Sequence, residues 1–289
     1  MRNPVFTGVC TALVTPFINH QINYPLMKQL LKFQLDSGVE TIVLAGTTGE
    51  APALSDYEKT ELIRQAKNYT GNSCTIIAGT GSNSTEHTLE LSISAEKAGA
   101  DALLIVSPYY NKGNTDGLYR HFSTVANAVG IPIILYNVPS RTGIDIPISV
   151  YQRLSKHQNI LGVKEATTDI TKIIRIKGEC PADFYVWSGN DDQIVPVIAS
   201  GGVGVISVLS NIFPEDTIML AHAALSGDFN TAAILQAEYL PVIDMLFSEV
   251  NPIPVKYAMQ YIGFDCGPCR LPLGNISKDN KKRIDSLFN

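Results

Sequence analysis

A single lysine within an apolar octapeptide is the strongest candidate for chemistry in this chain. Residues 160–167 have the composition of a buried strand, and Lys164 lies in its middle. On an alternating strand, Gly162 and Ala166 flank Lys164 on its own face, and Ile160 belongs to that face too. Such small neighbours predict a cavity beside the amine, and burial favours the neutral form that a Schiff-base lysine needs. The alternative is a lysine that extends to solvent or pairs with a carboxylate.

Polar side chains also stand at the ends of other apolar runs. Thr47 and Thr48 offer hydroxyls and, between two glycines, accessible backbone N–H groups that suit a small carboxylate. Tyr136 carries a phenol that suits proton transfer beside an imine. Arg141 is a planar donor suited to a second carboxylate. With Lys164, these residues predict a 2-keto acid that is bound as a Schiff base, becomes an enamine and attacks an anionic partner. Taken singly, the same residues also fit turn, core and surface roles.

Eight strand-like runs alternate with longer helix-like segments over most of the chain. The predicted strands are 8–17, 41–45, 74–80, 101–107, 132–138, 160–167, 184–189 and 204–209. Eight strand–helix units predict an α/β protein with a (β/α)8 TIM barrel, whose site lies at the C-terminal ends of the strands. An open doubly wound sheet is the alternative, but no Gly-x-Gly-x-x-Gly follows the first strand.

The alternation stops near residue 226. We therefore predict two parts, a catalytic barrel over 1–226 and a C-terminal helical domain over 227–289. The predicted helices of the second part are 230–247, 254–262 and 278–287. Within the first part, Ser55 and Glu58 have the spacing of a capping box at the start of a helix. The glycine-rich run 201–204 precedes the eighth strand and predicts a tight turn.

Composition narrows the functional class. The chain has 289 residues and a formal net charge of −5, which leaves no electrostatic footprint for nucleic acid or an anionic membrane. No apolar run approaches the roughly 18 to 20 residues of a membrane span. Five scattered cysteines and the lack of a signal-peptide core favour a reduced, cytoplasmic protein. We expect neither a metal site nor a bound cofactor.

Five motifs together resemble the dihydrodipicolinate synthase (4-hydroxy-tetrahydrodipicolinate synthase) family, and the likeness covers essentially the whole chain. They are GTTGE (46–50), PYYN (108–111), LYNVPSRTG (135–143), GVKEA (162–166) and NPIPVK (251–256). The first motif and the barrel lysine are shared with the wider pyruvate-aldolase superfamily, which includes N-acetylneuraminate lyase. Thr48, Tyr110 and the run 140–143 are more particular to the synthases.

The resemblance implies condensation of pyruvate with aspartate semialdehyde, which begins the diaminopimelate and lysine branch of biosynthesis. It implies an imine on Lys164 and a proton relay formed by Thr47, Tyr136 and Tyr110. Tyr110 would be donated across a tight dimer interface, within a homotetramer made of two tight dimers. The substrate-binding residues implied by the resemblance are Thr48, Arg141, Gly189 and Ile206.

Two other functions are weighed against this one. The first is a pyruvate aldolase with a sugar-acid partner, against which Arg141 favours a short anionic aldehyde. The second is a binding or regulatory protein that has kept the scaffold without the reaction, because fold alone does not imply activity.

Two departures from the family pattern qualify the resemblance. Lysine-inhibited members resemble one another in a small site at the tight-dimer interface, and this chain keeps its Asn83 and Tyr109. Where a Ser, two His and a Glu would stand, the chain has Ala51, Asp56, Lys59 and His87. The missing carboxylate removes a partner for the effector's ammonium, so we predict weak or absent inhibition by lysine.

The second departure is a pair of cysteines with thioredoxin-like spacing, Cys266 and Cys269. No strand precedes them, and we interpret them as incidental thiols in a loop. Sensitivity to oxidation is the alternative.

Overall fold

In the computed structural model, which describes residues 1–288, eight parallel strands close into a barrel. The strands, numbered with a small hairpin in chain order, are β1 (Gly8–Ala12), β2 (Phe17–Ile18), β3 (Gln21–Ile22), β4 (Thr41–Leu44), β5 (Thr75–Gly79), β6 (Ala102–Val106), β7 (Ile133–Asn137), β8 (Ile160–Glu165), β9 (Tyr185–Ser188) and β10 (Gly204–Ser207). The barrel runs β1-β10-β9-β8-β7-β6-β5-β4 and closes between β4 and β1. The predicted (β/α)8 class is confirmed.

The first predicted strand was too long. It ends at Ala12, residues 13–16 are irregular, and the antiparallel hairpin β2–β3 follows them. Asn19 and His20 at its tip have φ of 50° and 64°, the left-handed backbone that a two-residue hairpin turn requires. A run of apolar residues has the same hydrophobic pattern whether it forms one long strand or two short ones. The pattern therefore does not reveal the break.

Twelve α-helices follow or cover the strands within the described residues. They are α1 (Tyr24–Asp36), α2 (Asp56–Thr70), α3 (Thr85–Lys97), α4 (Thr115–Ala128), α5 (Pro139–Thr142), α6 (Ile148–Leu154), α7 (Ile170–Glu179), α8 (Ile194–Ala199), α9 (Pro214–Leu225), α10 (Phe229–Leu246), α11 (Ile253–Ala258) and α12 (Lys278–Phe288). The capping box is confirmed, since Ser55 and Glu58 bond each other's backbone N–H groups at the start of α2. The short helix α5 was not predicted.

Two apolar clusters divide the core. The larger lies between the outer faces of the strands and the surrounding helices. The smaller fills the barrel interior and includes Cys10, Leu104, Trp187 and Ile206. Strands that are buried on both faces explain why the sequence shows continuous apolar runs rather than alternation.

One irregularity lies in the strand that carries Lys164. β7 pairs with β8 at Ile133–Ile160 and next at Ile134–Gly162, so the register shifts by one residue at Leu161. The bulge turns Ile160 into the outer core, where it joins Val163. The prediction that Ile160 shares the face of Lys164 is therefore wrong, although Gly162 and Lys164 do share one.

The C-terminal helices α10, α11 and α12 pack on the barrel and on one another. Side chains from this segment reach the turn after β4, where Asn251 bonds Thr48 and Lys256 bonds Glu50. The division at residue 226 stays a prediction. Among residues 1–288, no helix combines the length and apolarity that crossing a bilayer requires.

Candidate active site

Lys164 lies inside the barrel, directly across from Tyr136 on the neighbouring strand. Its side chain is buried, with 5% of the residue exposed, and its Nζ stands 4.5 Å from the centroid of the Tyr136 ring. No carboxylate within residues 1–288 approaches that nitrogen to 4 Å, the limit of a salt bridge. The alternative in which Lys164 pairs with a carboxylate is thus excluded for the described chain. An unpaired buried amine is available as a nucleophile.

The space beside Lys164 is only partly what the sequence predicted. A Cβ placed on Gly162 would lie 2.1 Å from the Tyr185 carbonyl oxygen and 2.8 Å from the Trp187 ring. The space left by the missing side chain at Gly162 is therefore occupied by the Trp187 indole. The prediction of a cavity on that side is wrong. On the other side, Ala166 lines an open pocket of about 300 Å³ beyond the strand end.

Glu165 points the opposite way, toward the helices, as the alternation predicted. Its carboxylate accepts hydrogen bonds from Asn137 Nδ2 at 2.7 Å and from the Tyr151 hydroxyl at 3.0 Å. Lys172 completes the arrangement at 3.5 Å. Burial raises the pKa of Glu165 above its ordinary value, and the neighbouring cation and hydrogen bonds oppose that rise. The structural partner expected for this charge is confirmed.

The turn after β4 brings Thr47 and Thr48 to the C-terminal end of the barrel. Thr47 lines a cavity, whereas the hydroxyl of Thr48 is buried and accepts a hydrogen bond from Asn251 Nδ2 at 2.9 Å. The turn is closed by Ala51 N donating to the Gly46 carbonyl at 3.1 Å.

Three predicted residues share one cavity of about 470 Å³. Thr47, Tyr136 and Arg141 all line it, Thr47 from the turn after β4 and the other two from β7 and the helix that follows it. Arg141 extends from α5, where its guanidinium donates to the carbonyl of Asn251 at 3.4 Å. A cavity with a phenol, a hydroxyl and a guanidinium beside a buried lysine is suited to binding a small anion and moving protons near it.

Comparisons with known proteins agree with this geometry. The sequence pattern of the Dihydrodipicolinate synthetase family matches residues 5–289. The chain belongs to this family. It is 44% identical over 280 residues to a 4-hydroxy-tetrahydrodipicolinate synthase of Acetivibrio thermocellus, covering 97% of this chain and 95% of that protein. A relative of the same name from Fervidobacterium nodosum is 47% identical over 285 residues, covering 98% of each chain.

Solved structures show the same family fold. The crystal structure of dihydrodipicolinate synthase from Aquifex aeolicus superposes with a TM-score of 0.96 at 39% identity, covering 98% of this chain and 97% of that one. The corresponding structure from Thermotoga maritima also reaches 0.96, at 37% identity and 98% coverage of both chains. The family resemblance inferred from the motifs is confirmed.

Not every predicted site residue reaches the cavity. Tyr110 is 89% exposed with φ of 70°, and its own chain does not bring it to Lys164. Gly189 packs at the end of β9, where a Cβ would lie 2.7 Å from that of Ala166. Ile206 is part of the interior apolar cluster. Roles for Tyr110, Gly189 and Ile206 in binding or catalysis stay predictions.

The four residues that depart from the lysine-inhibited pattern line the same cavity as Asn83 and Tyr109. Three of them interact. His87 Nε2 lies 3.0 Å from both carboxylate oxygens of Asp56, and the Lys59 amine lies 3.9 Å from that carboxylate. Burial lowers the pKa of Lys59 below its ordinary value. Sequence reasoning named these residues but missed that they contact one another, because they come from two different helices.

Cys266 and Cys269 lie in the irregular segment before α12, as predicted, and both are free thiols. Burial raises the pKa of each to about 12. A thiol with a raised pKa has little thiolate at neutral pH, which argues against a redox role. Their response to oxidants stays untested.

Sequence reasoning assigned no role to Asn251 or Lys256, although both lie in a motif that carries the family resemblance. The signal was present, since an asparagine and a lysine in an otherwise apolar stretch need polar partners. Their partners are Thr48 and Glu50, about 200 residues earlier in the chain.

Proposed function

We propose that this chain condenses pyruvate with L-aspartate 4-semialdehyde to give 4-hydroxy-tetrahydrodipicolinate, through a Schiff base on Lys164. The reaction is a lyase-type aldol condensation, and it opens the branch that leads to diaminopimelate and lysine. The observation that carries the proposal is the buried amine of Lys164, which lies against Tyr136 and has no carboxylate of residues 1–288 within 4 Å. Family membership supports the choice of substrates.

In the proposed mechanism, the Lys164 amine attacks the ketone carbon of pyruvate, and water leaves to form the imine. Loss of a proton from the methyl carbon gives an enamine. That carbon attacks the aldehyde carbon of the semialdehyde, whose oxygen takes up a proton. The amino group of the second substrate then attacks the imine carbon, which closes the ring and releases the Lys164 amine.

The other residues hold and move charge around these steps. Thr47 and Tyr136 relay protons, with Tyr110 completing the relay, and the Thr47–Thr48 turn binds the carboxylate of pyruvate. Arg141 binds the carboxylate of the semialdehyde through its planar donors. Gly189 and Ile206 line the pocket.

The exposure of Tyr110 supports an assembly in which this residue serves a neighbouring subunit. We propose a homotetramer made of two tight dimers, located in the cytoplasm, where five free cysteines fit a reducing compartment. Sedimentation velocity at several concentrations tests the assembly. A monomer that keeps full activity would contradict the role given to Tyr110.

Trapping with borohydride tests the chemistry. Pyruvate and borohydride should leave a reduced pyruvate adduct on Lys164, identified by peptide mass spectrometry, and the Lys164→Ala variant should leave none. An assay with pyruvate and aspartate semialdehyde, compared with pyruvate and N-acetylmannosamine, separates the synthase from a sugar-acid aldolase. An enzyme that prefers the second pair, or traps no adduct, would refute the proposal.

The cluster of Asp56, Lys59 and His87 leads to a proposal about regulation. Asp56 already has two cationic or polar partners in the chain, and no glutamate stands at position 87 to bind an ammonium. We therefore infer that lysine inhibits this enzyme weakly or not at all. Steady-state assays with added lysine test this, and inhibition at sub-millimolar lysine would refute it.

A further inference from the structure

Glu50 stands in an unusual backbone conformation directly after the Thr47–Thr48 turn. Its φ is 58°, in the left-handed region that residues other than glycine rarely adopt. Its N–H donates to the Thr47 carbonyl at 3.1 Å, so this conformation is part of the turn itself. A residue other than glycine keeps a left-handed backbone conformation only where the surrounding structure holds it in place.

The side chain of Glu50 is held by residues from outside the barrel strands. One carboxylate oxygen accepts a hydrogen bond from Lys256 Nζ at 2.8 Å, and the other accepts one from the Arg270 backbone N–H at 2.8 Å. The side chains of Glu50 and Lys256 are both almost fully buried. Lys256 is fixed further by the Pro268 carbonyl at 3.3 Å.

A second contact joins the same segment to the site. Asn251 donates its side-chain N–H to Thr48 Oγ1 at 2.9 Å, and its carbonyl accepts from Arg141. Lys256 follows Asn251 by little more than one helical turn, in α11. The segment 251–256 therefore contacts the turn proposed to bind the pyruvate carboxylate at two places, Thr48 and Glu50.

We propose that Lys256 is a positioning residue for pyruvate. Through Glu50, it holds the turn in the geometry at which the backbone of Thr47 and Thr48 binds the pyruvate carboxylate; this rests on the proposed function. Without Lys256, Glu50 would be a buried carboxylate that has lost its cation, and it would move toward water. The left-handed turn would relax, and its N–H groups would no longer converge on the carboxylate.

The test is pyruvate affinity, measured with and without turnover. In Lys256→Met, we expect the KM for pyruvate and the pyruvate concentration for half-maximal borohydride trapping to rise at least 10-fold. The kcat at saturating pyruvate should fall by a smaller factor than the affinity, because Lys164 and Tyr136 are untouched and Thr47 alone of the proton relay lies in the turn. General loosening of the fold would not produce this split.

Arg270→Gln is the matched control. The Arg270 side chain also ties the C-terminal segment to the barrel, through Glu58 at 2.6 Å and the Ala53 carbonyl at 2.9 Å. The substitution keeps its backbone bond to Glu50, so pyruvate affinity should stay within 2-fold of the parent value. An equal loss of affinity in this control would overturn the proposal.

Glu50→Gln serves if Lys256→Met does not fold. It keeps the shape of the side chain but weakens the bond to Lys256, and we expect a rise of 3-fold or more in half-saturating pyruvate. Unchanged pyruvate affinity in this variant, or in folded Lys256→Met, would overturn the inference. The parent enzyme separates the two proposals, because failure to trap pyruvate on its Lys164 would refute the proposed function instead.

Discussion

Two lysines of this protein are equally buried and have opposite surroundings. Lys164, inside the barrel, is 5% exposed, and Lys256, under the C-terminal segment, is 3% exposed. The amine of Lys164 faces the Tyr136 ring at 4.5 Å and has no carboxylate within 4 Å among residues 1–288. The amine of Lys256 bonds Glu50 at 2.8 Å and lies 4.4 Å from the centroid of the Phe17 ring.

The difference shows what makes a buried amine useful for chemistry. Burial alone is costly for a cation, and the attraction of a nearby carboxylate offsets part of that cost. A lysine with such a partner is a structural element, because its nitrogen is held by the carboxylate. A lysine without one lowers stability, but its nitrogen can lose the proton and form a covalent bond. The partner, rather than the depth, separates the two roles.

The largest effect should come from removing the unpaired lysine. Lys164→Met should lower kcat by at least about 1,000-fold, because the nucleophile of the proposed imine is gone. Its free energy of unfolding should stay equal or rise by about 1 kcal/mol, since the variant removes a buried polar amine that has no salt-bridge partner. Urea denaturation at fixed protein concentration measures this. A marked loss of stability would show that Lys164 has a structural partner after all.

Removing the paired lysine should lower stability, in contrast to removing Lys164. Lys256→Met should lower the free energy of unfolding by about 3 kcal/mol, because it leaves the buried carboxylate of Glu50 without its cation. The same denaturation experiment, at the same protein concentration, compares it with Lys164→Met. Equal stability of the two variants would show that a carboxylate partner does not distinguish the two lysines.

His121 shows a third way to bury an ionisable group, which is to keep it neutral. Burial lowers its pKa to about 4; its Nε2 has no hydrogen-bond partner among residues 1–288, while its Nδ1 lies 2.9 Å from the Thr85 hydroxyl. Since the folded pKa lies below the unfolded value, the stabilisation is present above pH 6.5 and is lost as pH falls toward 4. Between pH 7.5 and pH 5 the loss should be about 2 kcal/mol.

Denaturation at both pH values measures this loss, and His121→Gln isolates it from the titration of other groups. The part of the pH dependence that belongs to His121 should vanish in the variant. An identical pH dependence in both proteins would mean that His121 titrates normally in the fold.

The smallest effect should come from a lysine in an exposed ion pair. Lys32 contacts Asp36 one turn along α1, and both side chains are more than half exposed. Water solvates both charges well, so Lys32→Met should change the free energy of unfolding by less than about 0.5 kcal/mol. A change as large as that of Lys256→Met would show that burial is not the reason why the Lys256 pair contributes strongly to the free energy of unfolding.

Local patterns accounted for much of the fold. The eight strands were predicted because both faces of each are buried, which produces apolar runs of strand length. The capping box of Ser55 and Glu58 was predicted because its two hydrogen bonds join residues three apart. Lys164 was identified because a charged residue in a buried strand needs an explanation, and its opposite orientation to Glu165 followed from strand alternation.

Tertiary structure alone determined the contacts between residues that lie far apart in the chain. The bulge at Leu161 depends on pairing with β7, and the Trp187 ring beside Gly162 comes from the next strand. The bond between Lys256 and Glu50 spans 206 residues. Sequence therefore determined that a lysine lies in the barrel, because periodicity is local. Whether each buried lysine has a carboxylate beside it was decided by folding, because partners meet only when distant segments pack.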